Sequence, residues 1–90
     1  MTELHLLNEI ADGRVVFTRD EFFNFEEIDR TLRSFTEAGY VQRIVRAVPV
    51  ADGRVESVVV IGGLTVLGER HRLRLFQTQE ARWTRAPEAS

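Results

Sequence analysis

The side chains that could carry catalysis are few in this chain of 90 residues. It has two histidines, His5 and His71, three serines and no cysteine. Their spacing does not fit a Ser/His/Asp triad, and no glycine-rich loop has the pattern that cradles a phosphate. The lack of cysteine excludes disulfides, zinc–thiolate sites and a thiol nucleophile. We therefore expect a protein that is not an enzyme, with no catalytic residue, no metal site and no cofactor.

Carboxylates are dense between residues 20 and 29. The group consists of Asp20, Glu21, Glu26, Glu27 and Asp29. Such a group could bind a cation, but helix capping, favourable positions near helix N-termini and a solvated helix face explain it more simply. We expect these carboxylates to be structural or solvated.

The overall charge limits the class of partner. All 12 basic residues are arginine, and 14 acidic residues give a net charge of −2. This excludes a generally basic nucleic-acid binder, although it leaves room for a local basic stripe. Residues 1–40 carry a net charge of −5, and residues 41–90 carry +3. That asymmetry is typical of an interaction module with two different faces.

The clearest predicted element is a helix over residues 25–38. Gly39 is placed to end it in a left-handed conformation, with Tyr40 packing back on the last turn. Similar reasoning predicts a helix over residues 3–12 and a short strand at residues 15–17. The apolar side of the longer helix is formed by Phe25, Ile28, Leu32 and Phe35.

Two helix-start signals lie between the short strand and the longer helix. Thr18 with Glu21, and Asn24 with Glu27, have the spacing of capping boxes. We therefore predict a very short helix over residues 18–23 and a sharp turn into the next helix. The flanking hydrophobic staples would be Phe17 with Phe22 and Phe23 with Ile28.

A β-hairpin is predicted where Asp52-Gly53 separates two segments rich in valine and isoleucine. Pro49 lacks an N–H, which favours a three-residue loop over residues 51–53 with Gly53 left-handed and places the first strand at a sheet edge. Gly62-Gly63 is expected to end the second strand.

The last predicted helix has Thr65 as its N-cap and runs to about Trp83. The alternation of Leu73 and Leu75 leaves a strand there as an alternative.

The predicted hairpin is apolar on both faces, and the helices that precede it can cover one. We expect the other face to be buried by the last helix, by a second copy of the chain in a homodimer or by another protein. Trp83 raises the same choice between a core anchor and an interface residue. The candidate interface residues are Ile44, Val48, Val58, Val60 and Trp83.

The order of predicted elements resembles a winged helix-turn-helix. Residues 20–40 resemble its helix pair, ending in Glu-Ala-Gly-Tyr, and residues 41–61 resemble its wing. The Leu-Thr-x-x-Gly sequence at residues 64–68 is similar to the start of the closing helix in MarR-like, PadR-like and small YjcQ-like phage and prophage proteins. The resemblance implies an α+β winged-helix domain over residues 1–85, with three helices, a hairpin wing, a C-terminal helix and a flexible tail at residues 86–90.

The resemblance implies that the longer helix reads DNA. Its outward side also carries Glu26, Glu27 and Glu37, which is typical of a salt-bridged, solvated face. The spacing predicts i, i+4 ion pairs on this helix, namely Glu26–Arg30, Asp29–Arg33 and Arg33–Glu37. The candidate DNA contacts are Arg30, Arg33, Arg43, Arg46, Arg54 and Arg70.

Two functions are therefore expected. One is a DNA-binding transcriptional regulator, dimeric and contacting phosphates through the wing and the arginine-rich last helix. The other is a protein-binding module, such as a phage-encoded inhibitor or adaptor, that uses its acidic helix face or apolar wing face. The longest strongly apolar run is too short to span a membrane, and the first residues lack the features of a signal peptide. We expect a cytoplasmic protein that does not bind membranes.

Overall fold

The computed structural model describes residues 2–49 and 53–88, and of residues 79–88 only the backbone. Within these ranges the chain forms three helices and one three-stranded antiparallel sheet, which confirms the predicted α+β class. The elements are α1 (Glu3–Ala11), β1 (Val16–Thr18), α2 (Phe25–Ala38), β2 (Val41–Ala47), β3 (Ser57–Leu64) and α3 (Val66–Glu88).

The sheet has the order β1-β3-β2, so β2 is an edge strand, as Pro49 predicted. Ala47 lies opposite Ser57, the register that a three-residue loop requires. Gly53 is left-handed with φ 72°, also as predicted. Residues 50–52 of the loop lie outside the described part of the chain.

The prediction that Gly62-Gly63 ends the second strand is wrong. β3 continues to Leu64, which pairs with Val41 after a shift in register. Gly62 and Gly63 have φ values of 86° and 65°, a conformation that glycine reaches without strain. The two glycines therefore form an irregularity that bends the strand without ending it.

The predicted short helix over residues 18–23 is replaced by a turn. The N–H of Arg19 donates to Glu56 O at 2.9 Å, so the chain leaves the sheet only after Arg19. The N–H groups of Glu21 and Phe22 then donate to Thr18 O and Arg19 O at 3.2 and 3.4 Å, bonds that close a turn and not an α-helix. Thr18 Oγ1 donates to Glu21 Oε1 at 3.1 Å, so this capping box joins two side chains and caps no helix.

The start of α2 differs from the second predicted capping box. Asn24 occupies the N-cap position, but its side chain accepts no backbone hydrogen bond. Its amide instead donates to Glu27 Oε2 at 2.7 Å. The first helical turn is held by backbone bonds to Asn24 O.

The aromatic residues of the turn face in opposite directions. The Phe22 ring lies 6.0 Å from Phe17 and 6.4 Å from Phe25, measured between centroids. The predicted contact between Phe17 and Phe22 is therefore present, but it flanks a turn and is not a helix staple. Phe23 is fully exposed, so its predicted staple with Ile28 is wrong. Only one of two adjacent rings can enter the core here, and Phe22 occupies that position.

The end of α2 follows the prediction closely. The Tyr40 N–H donates to Phe35 O at 2.8 Å, and the Gly39 N–H donates to Thr36 O at 3.1 Å. This is a Schellman motif with Gly39 at φ 82°. The Tyr40 ring packs back on Phe35, with centroids 6.0 Å apart.

Helix α3 is seated directly on this turn. Thr65 Oγ1 accepts from the Gly68 N–H at 3.0 Å, as expected of an N-cap, and donates to Gly39 O. The Thr65 N–H donates to Tyr40 O at 2.9 Å. A Cβ on Gly68 would lie 2.1 Å from Tyr40 O, so only glycine permits this approach.

Helix α3 continues to Glu88, which excludes the strand alternative at Leu73 and Leu75. The helix continues past its predicted end near Trp83. Residues 86–88, which were predicted to belong to a flexible tail, are part of it. The glutamines, glutamate, alanine and arginines after Phe76 favour continued helix. Residues 89–90 and the side chain of Trp83 lie outside the described residues.

The core forms between the helices and the inner sheet face. The prediction chose the wrong hairpin face as the uncovered one: Val58 and Val60 are buried. The reason is β1, which places Phe17 beside Val58 on the same side of the sheet. The buried apolar residues are Leu6, Leu7, Ile10, Phe17, Phe25, Ile28, Leu32, Phe35, Val41, Val55, Val58 and Val60.

Candidate functional site

The outward side of α2 carries more carboxylates than arginines. The buried stripe from Phe25 to Phe35 fixes which residues point away from the core. These comprise three carboxylates, two arginines and one serine. They are Glu26, Glu27, Arg30, Arg33, Ser34 and Glu37, all of them exposed.

Asp29 is the one buried charged residue in the described chain, with 5% of its surface exposed. It accepts from Arg46 Nε at 2.8 Å and from Arg46 Nη2 at 2.9 Å. Arg33 Nε lies 3.5 Å from the same carboxylate, as predicted for an i, i+4 pair. The bidentate bond fixes α2 on β2. Asp29 thus occupies Arg46, which was a candidate DNA contact, and draws Arg33 toward the body of α2.

Arg19 joins the turn to the hairpin. Its Nε and Nη2 donate to Val55 O at 3.0 and 2.7 Å, and its Nη1 lies 2.9 Å from Glu26 Oε1. The guanidinium also lies over the Phe25 ring, 5.4 Å from its centroid. Glu26, predicted to pair with Arg30, therefore binds Arg19.

Arg14, like Arg19, combines a contact with aromatic rings and an ion pair with a carboxylate. Its guanidinium lies 4.7 Å from the centroid of Phe17 and 5.2 Å from that of Phe22, and Nη2 binds Glu21. The hydrogen bond from Arg14 holds the pKa of Glu21 below its ordinary value. The hydrogen bond from Arg19 lowers the pKa of Glu26 in the same way. Both carboxylates therefore stay ionised into the acid range.

The other candidate DNA contacts lie on four different parts of the fold. Arg30 lies on α2, Arg43 on the outer side of β2 and Arg70 in the first turns of α3, all exposed. Arg54 lies in the segment that enters β3 and lowers the pKa of Glu26 through its charge. For Arg30, Arg43 and Arg70, the described residues provide no ion-pair partner.

A groove of about 560 Å³ lies beside the N-terminus of α2. Two carboxylates line it without an arginine partner. Glu3 Oε1 lies 2.8 Å from His71 Nε2, and Glu27 accepts from Asn24. The full lining is Glu3, Phe22, Phe23, Asn24, Glu27, Ile28, Thr31 and Ser34.

The candidate interface residues of the hairpin divide between core and surface. Val58 and Val60 belong to the core, Ile44 packs against it, and Val48 is exposed. The outer sheet face instead carries exposed Val16, Val45 and Ile61. On α3, Leu73 and Phe76 are half exposed.

The described residues have no metal-binding group and no membrane-spanning helix. They contain no group of three or more His, Asp or Glu side chains that could hold a metal ion. None of their helices has the length and apolar character needed to cross a membrane.

Comparison with protein-family models, curated proteins and solved structures finds no match to this chain. Its site is therefore interpreted from its own geometry. Sequence reasoning missed the role of Asp29, although its position four residues after Phe25 places it on the buried side of α2. It also missed Arg19, whose partner Val55 is 36 residues away and leaves no local signal.

Proposed function

We propose that this protein is a small, non-enzymatic binding module that binds a basic surface of another protein through the acidic side of α2. The observation that carries the proposal is the distribution of charge around this helix. Among the described residues, Glu27 and Glu37 point outward without an arginine partner, whereas Arg33 and Arg46 are drawn to Asp29. Glu26 is bound by Arg19, and Arg30 is the remaining exposed arginine of this side. A phosphate backbone is repelled by such a surface, and a cationic protein surface is attracted to it.

We propose a winged-helix arrangement as the frame, with α2 in the place of its recognition helix. Three features support this arrangement. They are the order of elements, the turn at Gly39 and Tyr40 that leads into the hairpin, and the seating of Thr65 and Gly68 on that turn. The turn over residues 19–24 departs from the resemblance, since a helix is expected there.

The test compares two labelled probes, a short arginine-rich peptide and a duplex DNA, by fluorescence anisotropy at low salt. We expect the peptide to bind and the DNA not to bind. Glu37→Lys should weaken peptide binding several-fold, because it reverses one charge of the face. Glu56→Lys is the matched control, since Glu56 is exposed outside α2. Binding of DNA without binding of the peptide would overturn the proposal.

DNA binding through the hairpin and α3 is the second candidate. The arginines Arg43, Arg54 and Arg70 favour it, since all three are exposed. Arg54→Ala and Arg70→Ala should then each weaken binding and reduce the salt slope by about one unit. Unchanged slopes would remove this candidate.

We also propose that the protein is a homodimer in the cytoplasm. Leu73 and Phe76 are exposed three residues apart on α3, and Trp83 continues the same helical stripe in the sequence. Burial of this stripe against a second copy replaces the hairpin face as the proposed contact.

A further inference from the structure

Phe23 is the most exposed large apolar residue in the described chain. The turn that carries it is fixed at both ends. Arg19 binds the hairpin through its N–H and its guanidinium, and Asn24 begins α2. Phe22 already fills the place in the core. The fold therefore holds Phe23 in solvent, at the wall of the groove.

The neighbouring aromatic rings are covered by arginine, and Phe23 is not. Arg14 lies over Phe17 and Phe22, and Arg19 lies over Phe25. Among the described residues no cation lies over the Phe23 ring. A guanidinium over an aromatic face is a favourable contact that this chain makes repeatedly within a few residues. The face of Phe23 is left open for a cation from elsewhere.

The carboxylates of the groove show the same pattern. Arginine pairs with Glu21, Glu26 and Asp29 nearby. Glu3 and Glu27, which line the groove, contact a histidine ring and a neutral amide instead. No arginine is among the lining residues. The groove therefore combines an uncovered aromatic ring with negative charge that no arginine neutralises.

We propose that this groove takes an arginine side chain from an extended basic segment of a partner protein. The guanidinium would lie over Phe23 and bind Glu27, and Glu3, which also lines the groove, would add negative charge. This inference rests on the proposed protein-binding function and gives it an anchor site. Arginine fits better than lysine because its planar group stacks on a ring and bonds a carboxylate at once.

The experiment uses the complete chain and labelled oligo-arginine and oligo-lysine peptides of equal length, measured by anisotropy at low salt. We expect the arginine peptide to bind more tightly than the lysine peptide. Phe23→Ala should weaken arginine binding about tenfold or more, and Glu27→Gln should weaken it several-fold. Val66→Ala is the matched control, because Val66 is also exposed but lies at the start of α3. Circular dichroism confirms that each variant is folded.

The outcomes distinguish failure of the proposed groove site from failure of the proposed protein-binding function. If the wild type and Phe23→Ala bind the arginine peptide equally, the groove is not the binding site. The proposal that the acidic side of α2 binds a basic partner is then unaffected. Equal binding of the two peptides overturns the stacking on Phe23. No binding of either peptide overturns both proposals. If Phe23→Ala instead abolishes self-association in sedimentation, the occupant is a second copy, and the inference is wrong.

Discussion

Asp29 shows how one buried carboxylate decides the role of two arginines. The bidentate bond from Arg46 and the contact from Arg33 together neutralise it. Removal of the negative charge leaves Arg46 without its partner at the junction of α2 and β2. The residue is therefore structural, although it lies in the acidic segment that first suggested a binding site.

We predict that Asp29→Asn destabilises the fold by about 1–3 kcal/mol. The cost is below that of a fully buried pair, because the Arg46 side chain is 36% exposed. Chemical denaturation with urea measures it. Arg30→Gln, an adjacent exposed change, should alter stability by less than about 0.5 kcal/mol. Equal stability of the wild type and Asp29→Asn would contradict a structural role.

The ion pair between Arg19 and Glu26 makes the stability of the fold depend on pH. Because Arg19 lowers the folded-state pKa of Glu26 below its ordinary value of 4.5, stability from this pair is present above that value. It is lost as the pH falls from about 4.5 through the lowered pKa. We expect Arg19→Gln to raise the pKa of Glu26, measured by NMR titration of its carboxyl carbon. A pKa that does not move would show that the pair is absent in solution.

At the residue scale, sequence reasoning found one local ion pair and missed the distant contacts. The pair of Asp29 with Arg33 follows from helical spacing. The bond from Arg46 depends on how α2 lies on β2, and the bond from Arg19 to Val55 depends on sheet pairing. Neither arrangement is encoded in the spacing of residues along the chain.

Among the elements, the seating of α3 on the end of α2 gives the sharpest test. A glycine inside a helix is normally improved by alanine, by about 1 kcal/mol. At Gly68 the added Cβ would lie 2.1 Å from Tyr40 O, so we predict that Gly68→Ala destabilises the fold. Thermal unfolding measures the sign of the change. A raised melting temperature would mean that α3 does not sit on the turn at Tyr40.

The two helix caps should differ in their energetic weight. Thr65→Ala removes a hydroxyl that joins the Gly68 N–H to Gly39 O, and we expect a loss of about 1–2 kcal/mol. Asn24→Ala removes only a bond to the exposed Glu27 and should cost less than about 0.5 kcal/mol. Urea denaturation compares them. The reverse order of stabilities would restore Asn24 as the capping residue that the sequence suggested.

Most elements were predicted because their signals are local. Gly39 ended α2, Pro49 set the hairpin register, and Thr65 began α3, each through backbone chemistry of a few residues. The prediction of a short helix was wrong because the Arg19 N–H is held by Glu56 O, just before β3, 37 positions along the chain. The prediction of which hairpin face is covered was wrong because both faces are apolar. Only the pairing of β3 with β1 distinguishes the two faces.

At the scale of the whole molecule, the exposed Leu73 and Phe76 on α3 predict self-association. We expect the weight-average mass in sedimentation equilibrium to rise with concentration toward that of a dimer. Phe76→Glu should keep the protein monomeric and folded, because Phe76 is half exposed in the single chain. Val48→Glu, on the exposed end of the hairpin, is the control and should leave the mass unchanged. A wild type that stays monomeric at high micromolar concentration would exclude the dimer.

The central position of β3 has a consequence for synthesis. β3 is the last strand of the described chain to leave the ribosome, yet β1 and β2 are both hydrogen-bonded to it. A nascent chain that ends before residue 57 therefore carries both flanking strands with no strand between them, and lacks Val58 and Val60 in its core. Such a chain has helices but no native sheet, and its apolar strand faces stay available to chaperones. Translation thus delays sheet formation until one late segment emerges.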